Sequence, residues 1–180
     1  MKTRHSIPNI QIRRLTTAAM CLALCLLLPF LTGQLPQIGN ALCPMHLPVL
    51  LAGFLCGPWW AMAVGAAAPL LRHLLFSMPP LLTATAMSFE LAAYGAVSGL
   101  LYRKLPHTLW GIYASLVPAM IAGRVLWGIV RLLLTGISGE VFTLSLFLTG
   151  AFVSAIPGIL VQLVLIPALV TALEKATIAS

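Results

Sequence analysis

The sequence predicts an all-α integral membrane protein of six transmembrane helices, with the N and C termini cytoplasmic. Three observations carry that expectation. Apolar residues make up 61% of the chain and charged residues 7%, a balance foreign to a domain that keeps water on its outside. Pro, Gly and charge clusters cut the chain at about the 20-residue interval that a helix needs to cross ~30 Å of hydrocarbon. The basic residues outside the apolar runs gather where a single topology puts them all on one side.

The elements follow in order. Residues 1–14 form a basic cytoplasmic tail, and residues 15–175 form a single six-helix membrane domain. The first span, 15–31, follows that tail as the apolar part of a signal peptide would, but no small-x-small cleavage pattern comes after it. Asn40-Ala-Leu-Cys43 also places Leu where a lipoprotein signal has a small residue. The second span, 42–56, is short, and Gly57-Pro58 turns tightly into the third, 59–76, leaving Trp59 and Trp60 at an interface as aromatic belts prefer. The fourth and fifth spans are 83–102 and 109–134. The sixth, 141–173, is long enough to tilt or to begin as a segment that does not cross.

Orientation follows from Lys and Arg, which mark cytoplasmic loops in bacterial-type membranes. Lys2, Arg4, Arg13 and Arg14 precede the first span, Arg103 and Lys104 follow the fourth, and Lys175 follows the sixth. Even numbers of spans separate the three clusters, so they share one side. The outer connections 32–41, 77–82 and 135–140 carry neither Lys nor Arg. The net charge of +7 therefore reports orientation in a cytoplasmic membrane; no basic stripe with interleaved aromatics suggests nucleic acid.

Cys21, Cys25, Cys43 and Cys56 lack the spacing of a disulfide framework or a paired metal motif and read as apolar packing. Small residues recur four apart at Ala19 and Ala23, Gly53 and Gly57, Gly95 and Gly99, and Gly150, Ser154 and Gly158. In lipid, where apolar burial does not drive helices together, such faces permit close backbone approach. On the first span the same pattern could serve an external helical partner.

Ionisable groups within the spans point to function, because each costs about 2.5–3.5 kcal/mol at mid-membrane unless paired or wetted. They are Arg72, His73, Glu90 and Arg124, with Arg131 nearer the outer end. Taking Pro80 and Leu134 as outer boundaries, Glu90 and Arg124 each lie ten residues in, or about 15 Å at 1.5 Å per residue. Equal depth allows a structural ion pair or a shared role toward a ligand. Arg124, Trp127, Gly128 and Arg131 share one helical face, as do Thr83, Met87, Glu90 and Tyr94. With Arg72, His73 and Asn40 of the first outer connection, these residues outline an outer-half pocket suited to a small polar or anionic organic solute. Snorkelling to headgroups is an equal reading for Arg72 and Arg131, and packing in the core is the plainer one for His73.

Cys43-Pro-Met-His46 offers soft ligands, but its prolines read better as a structured entry to the second span, and no metal or cofactor is expected. No GxxxxGK[ST], HExxH or GxSxG motif occurs. The chain is expected not to be an enzyme, and any ATP-driven step would need another subunit.

The string His46-Leu-Pro-Val-Leu-Leu-Ala-Gly-Phe-Leu-Cys-Gly-Pro58, then Trp-Trp-Ala-Met-Ala-Val-Gly65 and Pro69, resembles the second-to-third-span signature of substrate-binding S components of energy-coupling factor (ECF) vitamin transporters, in particular the riboflavin-transporter-like branch. Length, six-span layout and basic first tail agree. Ala19-Met-Cys-Leu-Ala23 is similar to the AxxxA motif by which the first span of such proteins docks on the transmembrane T component. The resemblance implies a binding subunit for a vitamin or related micronutrient, with the ligand held in the outer half among the fourth to sixth spans. It also implies energising by the T component and two cytoplasmic ATPases, with toppling of the S component in the membrane to release solute. The alternatives from the residues alone are a secondary carrier using Glu90 as a proton-linked carboxylate, or a membrane scaffold. Residues 15–102 and 109–173 show no inverted repeat of the kind a secondary carrier often has.

Overall fold

The computed structural model describes residues 7–31, 42–138 and 143–179, and every regular element among them is helical. They are α1 (Ile7–Leu31), α2 (His46–Cys56), α3 (Pro58–Phe76), α4 (Leu81–Tyr102), α5 (Leu109–Ser138), the short α6 (Leu144–Leu148) running into a π-helical turn (Thr149–Val153), and α7 (Ile156–Ala179). Four of these, α1, α3, α5 and α7, are long and apolar enough to cross a membrane. The outward faces are apolar too: Leu74, Trp110, Leu133 and Val164 are each more than 60% exposed. A surface of that kind is stable only against lipid.

The short α2 is the hub. It packs against α1, α3, α4 and α7, and it buries His46, Pro48, Val49, Leu50, Ala52, Gly53, Phe54 and Cys56. Local chemistry sets its ends. Pro44 disfavours the helical region for the residue before it, and Cys43 takes a left-handed φ of 47°. Pro48 falls in the first turn, where its missing N–H has no intrahelical partner to lose. At the other end Gly57 adopts φ 88°, ψ 176°, open only to glycine, and Pro58 is pre-set for the first position of α3. The tight turn expected at Gly57-Pro58 is thus present. α3 closes on Ser77, whose left-handed backbone returns its N–H to the His73 carbonyl at 2.7 Å.

α4 lies between α3 and α5 and also packs on α2. It comes close because of its small residues: a Cβ on Gly95 would run into the Ala61 backbone, one on Gly99 into Pro58, and one on Gly65 of α3 into the Leu91 backbone. The four-residue spacing of small side chains serves this contact.

Two boundaries differ from the sequence expectation. α1 starts at Ile7, so residues 7–14 of the segment read as tail are helical. The stretch 141–173 is not one continuous helix: the chain passes through α6 and the π turn, where the Ser154 N–H bonds the Thr149 carbonyl at 2.8 Å, and α7 begins only at Ile156. Pro157 explains the break, since it lacks the N–H that the Val153 carbonyl would need and restricts Ile156. The stretch thus begins as a separate short segment before α7. Residues 32–41, with Asn40 among them, lie outside the described residues, as do Lys2, Arg4 and Glu140.

Candidate functional site

Glu90 of α4 and Arg124 of α5 meet in the interior. Arg124 Nη1 is 3.1 Å from Glu90 Oε1, and the two side chains are almost wholly buried. The equal depth computed from helix rise is therefore matched by contact. A third group joins them: His46, at the first position of α2, brings Nε2 to 3.2 Å from the same carboxylate oxygen. Arg124 Nη2 also donates toward Cys43 Sγ at 3.5 Å. The left-handed Cys43 and the first turn of α2 are thus drawn onto the α4–α5 pair, so three helices converge on one carboxylate.

Tyr94, one turn below Glu90, stacks edge-on against His46 with ring centroids 5.2 Å apart. Its ring fits because position 123 has no side chain; a Cβ there would strike the Tyr94 ring carbons. Gly123 precedes Arg124, so one missing methyl group seats both the tyrosine and the arginine.

One turn further along α5, Trp127 stacks on Phe147 of α6 at 6.3 Å, and Gly128 is open where a Cβ would collide with the Phe147 ring. Gly150, in the π turn, faces the edge of Trp127. The α6–π segment therefore packs on α5 at Trp127 and Gly128. π turns occur often beside functional sites, where they re-aim side chains without ending the helix. Arg131 Nη1 donates to Thr83 Oγ1 at 3.3 Å, fixing the seam between the start of α4 and the later part of α5.

Arg72 and His73 are engaged elsewhere. Arg72 donates from Nη1 to the Leu26 carbonyl of α1 at 2.7 Å, with its guanidinium 5.1 Å from the Phe30 ring and 5.4 Å from the Phe76 ring. His73 Nδ1 donates to the Pro79 carbonyl at 2.8 Å, pinning the loop between α3 and α4. Their geometry ties α3 to α1 and to that loop. Sequence reasoning does not bring His46 into the cluster; its signal is its place at the buried start of α2. Among the described residues no group of three or more His, Cys, Asp or Glu could hold a metal ion.

The bundle thus holds a buried charge cluster and an aromatic stack inside an apolar membrane-type helical protein. The family model for the ECF transporter, substrate-specific component, matches residues 13–180. The chain belongs to that family. No curated protein and no solved structure gives a significant match. As an S component it is a membrane protein of transport, with a small-molecule substrate and with T and ATPase components as partners. Family membership favours this reading over a stand-alone carrier or scaffold. On α1, Ala19 and Ala23 of the S component are exposed on the face opposite the buried Ala18, Cys21 and Cys25.

Proposed function

We propose that this S component binds a vitamin or related micronutrient in the half of the bundle away from its basic end, between α4, α5 and the α6–π segment. It does so in a bacterial plasma membrane that it crosses six times, with both termini cytoplasmic. The observation that carries the site is the convergence of Glu90, Arg124 and His46 beneath the Trp127–Phe147 stack. Buried charge in a bundle this apolar is costly to keep, and here it sits under an aromatic seam with Arg131 above. In this reading the trio is the polar floor of the pocket, Trp127 offers a flat face to a ring, and Arg131 offers a cation to an anionic substituent. Tyr94 acts by holding His46. The signature string from His46 to Pro58 supports the riboflavin-transporter-like branch, and the exposed Ala19 and Ala23 support docking of α1 on the T component.

The test is mass spectrometry of small molecules that copurify with the protein, followed by titration of the identified compound. Binding should weaken in Trp127→Ala and in Arg131→Gln while both variants stay folded. Full affinity in both would sink the pocket as drawn.

A further inference from the structure

The basic end of the bundle carries a second polar site. A cavity of about 230 Å³ opens there between α1, the α2–α3 turn and the end of α4. Arg14, Arg103 and His107 line it together with Gly57, Gly99 and Tyr102. Gly57 has a backbone only glycine adopts, and a Cβ on it would run into the Arg103 guanidinium. The turn is thus shaped to let Arg103 lie across it. Two guanidinium groups from different helices face one opening, beside the positive N-terminal end of the 19-residue α3. The nearby carboxylate is already engaged: Glu174 of α7 accepts from the Tyr102 hydroxyl and is 3.4 Å from His107 Nδ1. Among the described residues neither Arg14 nor Arg103 forms an ion pair, which leaves both to an outside anion.

The position of the cavity narrows what that anion is. Trp59, 70% exposed, and Trp60 follow directly on the turn, which puts the opening at headgroup level, where indole rings settle. Exposed Leu15 and Leu100, on the helices that supply Arg14 and Arg103, continue an apolar surface from this level. A group that places a phosphate among arginines and hydrocarbon alongside those leucines is a phospholipid. We propose that this cavity is a specific site for the phosphate of an anionic phospholipid, held by Arg14 and Arg103. Basic pockets between transmembrane helices bind such headgroups, and the guanidinium fork suits phosphate oxygens better than an ammonium does.

Native mass spectrometry of the purified full chain tests this, with phosphatidylglycerol and phosphatidylcholine titrated separately and inorganic phosphate as competitor. The wild type should hold phosphatidylglycerol more tightly than phosphatidylcholine. In Arg14→Gln/Arg103→Gln that preference should fall by about thirtyfold, the combined effect of two arginines near a membrane surface. Arg14→Lys/Arg103→Lys should recover part of it, and thermal unfolding without added lipid should show all variants folded. Equal retention of the two lipids by the wild type would overturn the proposal. So would displacement of phosphatidylglycerol by inorganic phosphate, which would make the site one for free phosphate. If the Gln variant kept its lipid preference but no longer assembled with the T component, the cavity would belong to an acidic partner side chain and the proposal would likewise fall.

Discussion

Arg124 of α5 and Glu90 of α4 share a buried contact of 3.1 Å, and His46 of α2 approaches the same carboxylate oxygen from the other side at 3.2 Å. The Glu90 and Arg124 charges are acceptable in the apolar interior only because each has the other. Arg124→Met or Glu90→Gln alone is expected to destabilise the protein by about 3–5 kcal/mol, since either leaves an uncompensated buried group. The double variant should recover part of that loss. Thermal unfolding of the three variants in detergent measures it. Should Arg124→Met instead leave stability untouched and abolish ligand binding, the arginine serves the ligand and the pairing is incidental.

His46 is held on two sides, by Glu90 and by the Tyr94 ring. His46→Phe keeps the aromatic contact and loses the polar one. It should cost about 1–3 kcal/mol, the penalty for leaving a buried acceptor short of a partner. His46→Gln, which can still donate to the carboxylate, should cost less. The same unfolding assay decides, and a larger loss in His46→Gln than in His46→Phe would show that ring packing dominates.

Gly123→Ala places a methyl group against the Tyr94 ring and within 2.9 Å of the Glu90 carbonyl. Backbone cannot yield as a flexible side chain can, so overpacking of about 1–3 kcal/mol is expected. Tyr94→Leu in the same chain should relieve only the ring clash. A Gly123→Ala variant as stable as the wild type would mean that α4 and α5 have room to separate.

How much of this was legible in the sequence depends on the range of the interaction concerned. Glu90 and Arg124 could be matched because helix rise converts residue number into depth, and depth needs no knowledge of neighbours. The turn at Gly57-Pro58 was equally plain, since both residues carry their own dihedral preference. His46 escaped because its depth depends on where a short helix starts, and that start is fixed by Pro44 and a left-handed Cys43 rather than by apolar period. Arg72 and His73 have the right depth and the wrong azimuth: one points to α1 and the other to the loop before α4, which no count along α3 reveals. The break before α7 hangs on Pro157, visible in the sequence but set in an apolar run that continues through it.

The face of α1 that carries Ala19 and Ala23 is exposed in the isolated S component, whereas Cys21 and Cys25 fill the bundle side. Replacing both alanines by Leu should block close approach of a partner helix without touching the interior. Assembly with the T component, followed by copurification, is expected to fall while ligand affinity stays at the wild-type value. Unchanged assembly would move the docking surface elsewhere on the protein.

Arg72 offers the sharpest contrast between a structural and a ligand-binding role. Its guanidinium sits 5.1 Å from the Phe30 ring and 5.4 Å from the Phe76 ring and donates to the Leu26 carbonyl at 2.7 Å. That carbonyl neighbours the one Pro29 leaves without a donor, at Cys25 four residues before it. Arg72 thus binds α1 in the turn that Pro29 weakens. A hydrogen bond from a charged donor contributes about 1.5–3 kcal/mol, so Arg72→Met should lower stability by about that much and speed amide exchange near the end of α1. Arg72→Lys should rescue little, because an ammonium cannot stack its plane on two rings as a guanidinium does. Ligand affinity is expected to persist in both variants once they are folded. Loss of binding without loss of stability would return Arg72 to the pocket.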